Sequence, residues 1–234
     1  MQFGMELVLF SNFAIILISA IVGYYLIHLW YRQENRLMTD LPLVFAISVM
    51  SNAINMVMIM MPIVGDFTPS MEYFRIRSVV IGASVVPMIG ALFQIWLPSI
   101  KKYHNRLLLL FAGYWGMVVL LGSTQEFIMM MCIPLLIASG IVIGATFVIT
   151  WKTGRLTELR SDIMIISVIV SMGSQILRMS LSSTPLFYIP DVLLMISFIL
   201  IGLGFAVPNR ARNKKKREEQ HSRIQQSVDI SVSA

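Results

Sequence analysis

Seven long apolar stretches, separated by short polar loops, constrain this chain more than any other feature. They cover residues 7–30, 41–61, 74–97, 107–122, 127–151, 163–181 and 186–207. Each is near the ~20 residues that an α-helix needs to cross ~30 Å of hydrocarbon. Hydrocarbon offers no partner to a backbone N–H or C=O, so segments of this length must close their hydrogen bonds internally as helices. The expected fold is all-α. It comprises a seven-helix transmembrane domain over residues 1–208 and a basic, disordered cytoplasmic tail over 209–234.

Composition narrows the function classes. Charged residues make up 13% of the 234 positions, against ~25% in soluble domains. The loops and tail leave no room for a kinase, nucleotide-binding or DNA-binding module. The first stretch lacks a basic leading region and exceeds the ~7–15 apolar residues of a signal core, so it reads as the first membrane helix. The single cysteine, Cys132, permits no intramolecular disulfide and reads as a packing residue.

Lys and Arg set orientation through the positive-inside bias. Arg32, Arg36, Lys101, Lys102, Arg106, Lys152, Arg155 and Arg160 fall in the first, third and fifth loops, on the side that the tail also occupies. The opposite side keeps Arg75, Arg77 and Arg178, with Glu6, Asp66, Glu72, Glu126 and Asp191. This places the N-terminus outside and the C-terminus in the cytoplasm of a multi-pass cell-membrane protein. In the tail, Arg210, Arg212, Lys214, Lys215, Lys216 and Arg217 directly follow a membrane helix. Anionic headgroups are their expected contact, at ~1 kcal/mol per basic side chain near the surface. A cytoplasmic protein partner is the alternative, and nucleic acid is not expected.

The first and fifth stretches can be superposed in sequence. Ser19 to Gly23 lies over Ser139 to Gly144 with one gap, Trp30 over Trp151, and Arg36 and Leu37 over Arg155 and Leu156. Further on, Ser48, Asn52 and Asn55 fall opposite Ser167, Ser171 and Ser174. This pattern suggests parallel repeats of helices 1–3 and 5–7, an arrangement used by several transporters. In topology the chain resembles the three-plus-one-plus-three carriers of the SWEET and PQ-loop groups, and in helix count and orientation the opsins. The likeness is one of architecture. The proline–glutamine pair is absent, and Pro42 is the only proline near the start of the second helix.

Polar side chains within hydrocarbon tend to face the bundle interior. Ser48, Asn52 and Asn55 recur at helical spacing in the second helix. Ser167, Ser171, Ser174, Gln175 and Arg178 do so in the sixth, and Gln94 ends the third. Any one Ser can be helix-packing glue. The amides Asn52, Asn55, Gln94 and Gln175 carry more donors and acceptors to satisfy, which suits a water-lined path. The candidate solute path is therefore Ser48, Asn52, Asn55, Gln94, Ser171, Ser174, Gln175 and Arg178. Arg75 and Arg77 would form an outer vestibule. Asp66, Glu72 or Asp191 could instead neutralise these arginines. Tyr114 and Trp115 are the aromatics deep enough to stack on a ligand.

No Lys lies within a stretch, so a retinal Schiff base has no attachment point. No Asp or Glu sits mid-membrane to offer a proton relay. Neither a transition-metal set nor a catalytic constellation assembles from these residues, and no cofactor is expected. Three readings stand at this stage. The first is a facilitative carrier of a small polar solute. The others are a receptor-like module signalling through a cytoplasmic partner, and an accessory subunit of a larger membrane complex or homo-oligomer.

Overall fold

The computed structural model describes residues 2–33, 40–65, 68–153, 159–181, 186 and 188–207. The tail arginines and lysines, Arg36, Arg155 and Asp66 lie outside the described residues. Among the described residues seven α-helices form: α1 (Gln2–Tyr31), α2 (Leu41–Gly65), α3 (Met71–Trp96), α4 (His104–Leu121), α5 (Gln125–Thr153), α6 (Ser161–Ser180) and α7 (Ile189–Ala206). All seven are long and apolar enough to span a membrane. A 3₁₀ turn, Pro98–Tyr103, joins α3 to α4.

Local chemistry sets the helix ends. The Ser70 hydroxyl accepts the Tyr73 N–H at 3.2 Å and caps α3. Thr124 accepts the Phe127 N–H at 3.2 Å at the start of α5. Each satisfies an amide that the first helical turn leaves orphaned. Helix α7 starts at Ile189 with Pro190 in its first turn, later than the apolar run suggests. Proline is tolerated there because that amide has no helical partner.

Successive helices run back and forth across the bundle. The start of α1, the ends of α2, α4 and α6 and the starts of α3, α5 and α7 lie at one end, here the N-face. The opposite ends of the seven helices make up the C-face. Helix α1 packs between α2 and α7, α3 packs on α2, α5 on α3 and α6, and α6 on α7. These six close a ring. Helix α4 leans on α3 and α5 from outside and is the least buried of the seven.

The main core joins Ile15, Leu26, Phe45, Met56, Phe147 and Phe198 inside the ring. A second cluster of Val85, Trp115, Val119, Ile128 and Cys132 fastens α4 to α3 and α5. Trp115 is thus a packing anchor: its indole donates to the Ser78 carbonyl at 3.0 Å and lies over Gly82, where no Cβ intervenes. Large apolar side chains such as Phe10, Phe13, Leu109, Leu121 and Ile169 are exposed. That inside-out surface suits lipid as the solvent, and the fold is that of an integral, multi-pass membrane protein.

The α6–α7 pair shows how polar residues build the ring. The Arg160 N–H donates to the Gly204 carbonyl at 2.9 Å. Ser167 and Ser197 each donate to the other's carbonyl at 3.1 Å. Ser174 donates to the Pro190 carbonyl at 2.6 Å. These contacts recur one heptad apart on both helices, the period at which antiparallel helices keep the same faces together. Hydrocarbon supplies no hydrophobic force between helices, so such bonds and close packing hold the pair.

Candidate functional site

At the N-face end of the ring, three helices contribute to a polar cluster. Arg178, in the last turn of α6, forms an ion pair with Asp191 in the first turn of α7. The second Asp191 oxygen accepts the Ser11 hydroxyl of α1 at 3.0 Å. Asp191 is 1% exposed and the Arg178 side chain 20%. A carboxylate so buried needs partners for its charge and lone pairs, and the arginine and serine supply them. Each charge also sits at the favourable end of its helix dipole.

Toward the same end of the ring, the Arg77 Nε of α3 donates to the Asn55 Oδ1 of α2 at 2.8 Å. Arg75 leaves the cluster and donates to the Gly122 carbonyl at the end of α4, at 3.0 Å. Positions two apart on a helix point to different sides. The structure therefore gives Arg75, Arg77 and Arg178 three different partners and does not gather them into one vestibule.

At the C-face, the described residues leave a cleft of about 220 Å³ between α1, α2, α3 and α7. Gln33, Asp40 and Gln94 line it, with apolar walls from Leu29, Pro42 and Phe205. An adjoining cavity of about 20 Å³, lined by Phe45, Met88, Leu92 and Phe147, also touches Leu41, Ala91 and Ile95 of the cleft wall. Thr146 holds the neighbouring wall by accepting the Trp96 indole N–H at 2.8 Å. At the same face, the hydrogen bond from Arg160 to Asp162 raises the arginine pKa above its ordinary value.

The remaining residues singled out in the sequence are dispersed. The Asn52 amide donates to its own helix at the Ser48 carbonyl, 3.0 Å away. Asn55 is buried, while Ser48 and Ser171 are half-buried. Ser174 is committed to α7 through Pro190. Gln175 is exposed. Tyr114 is exposed at the edge of α4. Among the acids offered as partners for the arginines, Asp191 takes Arg178 and Glu72 is exposed.

Sequence reasoning gave no site role to Ser11 or Ser197 and named Asp191 only as one of three neutralising acids. A lone Asp at the head of an apolar run, with a Ser and an Asn adjacent in the first helix, was the available signal. No protein-family model, curated protein or solved structure matches the chain. Its chemistry is therefore the guide to function.

Proposed function

We propose that this protein is a facilitative carrier of a small polar solute, captured open at the C-face and closed at the N-face. The observation that carries the reading is the opposition of two features across one ring. A partly polar cleft enters from one end, and an ion pair ties α1, α6 and α7 together at the other. Between them lies the apolar layer of Phe45, Met88, Leu92 and Phe147. Alternating access needs two such ends that open in turn around a central barrier. The basic-loop bias orients the C-face to the cytoplasm of the cell membrane.

Flux into proteoliposomes holding the purified chain tests the reading, with sugars, amino acids, organic anions and urea-like solutes as the panel. Saturable flux of one class, lowered by Gln94→Leu without loss of folded protein, is the expected result. A well-folded preparation that moves none of these solutes defeats it.

The receptor-like alternative takes its support from the arginines at the N-face and the basic tail. It requires a cytoplasmic partner that is captured by the full chain and lost on truncation at Pro208. Equal capture by both forms counts against that version.

A further inference from the structure

The C-face cleft gathers polar groups from three separate segments of the chain. Gln33 stands just past α1, Asp40 just before α2 and Gln94 in the last turn of α3, and all three line the cleft. Each belongs to a helix end at the C-face. The adjoining cavity reaches back along α3 to Leu92 and Met88, so it lies deeper in the ring. The cleft is therefore polar at its mouth and mostly apolar further in.

Charge decides what such a cleft can hold. Asp40 is the one charged side chain among the described residues that line it. The flanking cations turn elsewhere: Arg32 is exposed, and Arg160 pairs with Asp162. An anionic solute would meet the Asp40 carboxylate with no described cation on the walls to offset it. An ammonium group brings positive charge and several N–H donors, which suit a carboxylate and the amide oxygens of Gln33 and Gln94. A volume of about 220 Å³ restricts the ligand to a small one.

Asp40 has a structural task as well. Its carbonyl accepts the Val44 N–H at 3.0 Å, which makes it the N-cap residue of α2. A carboxylate offers about four lone-pair sites, so capping leaves oxygen to face a ligand. Asparagine caps a helix as well as aspartate does, so Asp40→Asn separates the charge from the cap.

We propose that the C-face cleft binds a small primary amine, its ammonium held by Asp40, Gln33 and Gln94. The apolar body of the amine points inward, past Leu41 and Ile95. This deepens the carrier reading, on which it rests only for its consequence: the transported solute would carry an ammonium group, as amino acids do.

The test is equilibrium binding of radiolabelled isopentylamine to the purified full chain in neutral detergent at neutral pH. Isocaproate, which carries a carboxylate on the same branched body, is the comparison. The expected result is saturable amine binding that weakens at least about tenfold in Asp40→Asn, the loss expected for a charged hydrogen bond. Gln94→Leu, remote from the cap, should also bind more weakly and decides the matter if Asp40→Asn fails to fold. Arg106→Gln, an exposed change at the C-face, should bind as the parent does. Absence of saturable amine binding, or equal binding by parent, Asp40→Asn and Gln94→Leu, overturns the site. Tighter binding of isocaproate than isopentylamine overturns the amine assignment. Amine binding without flux of any solute would keep the site and remove the carrier reading. Flux of a sugar or an organic anion without amine binding would do the reverse.

Discussion

Tyr73 donates its hydroxyl to the backbone carbonyl of Met58. This is the carbonyl that Pro62, lying within α2, leaves without its helical partner. A residue of α3 thus completes a bond that the α2 sequence cannot make, and the two helices are joined where an orphaned carbonyl would otherwise face hydrocarbon. Tyr73→Phe should cost about 1–2 kcal/mol. In a Pro62→Ala background the restored amide can take the carbonyl, so the same change should cost less. A double-mutant cycle by unfolding in mixed micelles measures the difference; equal costs in both backgrounds refute the coupling.

The reciprocal bonds of Ser167 and Ser197 use two different hydroxyl donors. Each alanine substitution should therefore cost about 0.6–1.7 kcal/mol, the range of interhelical bonds in membranes. Because the two hydroxyl oxygens also lie 3.1 Å apart, the double substitution should depart from the sum of the single costs. An effect confined to one of the two serines would show that the pair does not act as described.

The Arg178–Asp191 pair predicts an asymmetry. Asp191→Asn leaves a largely buried arginine uncompensated and should destabilise by about 3–5 kcal/mol. The double change Arg178→Met with Asp191→Leu removes both charges and should be better tolerated. Thermal unfolding of the purified variants separates these outcomes, and a double variant less stable than Asp191→Asn would contradict the pairing.

Two glycines of adjacent helices should answer oppositely to alanine. A methyl at Gly82 overlaps the Trp115 indole, whereas one at Gly113 meets nothing within 4 Å. Gly82→Ala should cost about 1–3 kcal/mol through overpacking and alter tryptophan fluorescence. Gly113→Ala should be neutral or stabilising by up to about 1 kcal/mol, from helix propensity. Equal stability of the two variants would mean that α4 does not dock through this contact.

The helices were legible because hydrocarbon length and backbone satisfaction leave a membrane segment little choice. Their partners were harder to read. Ser174 and Gln175 are adjacent in one polar stripe, yet the first bonds α7 and the second is exposed. A step of about 100° around a helix separates buried from exposed, and a broad polar stripe does not locate that edge. Arg75 and Arg77 read as one vestibule until their opposite directions sent them to Gly122 and Asn55. Asp191 stood among three acids near three arginines, and only packing selected it.

The sequence alone determined an all-helical chain with seven apolar spans, because each apolar run must satisfy its own backbone in lipid. It also determined the basic bias of one set of loops. Tertiary structure decided that α4 stands outside the ring, that Ser167 meets Ser197, and that Arg178 finds Asp191 while Arg77 finds Asn55. Lipid rewards any apolar face equally. The choice among faces therefore falls to close packing and to a few polar groups, whose partners lie far apart in the chain.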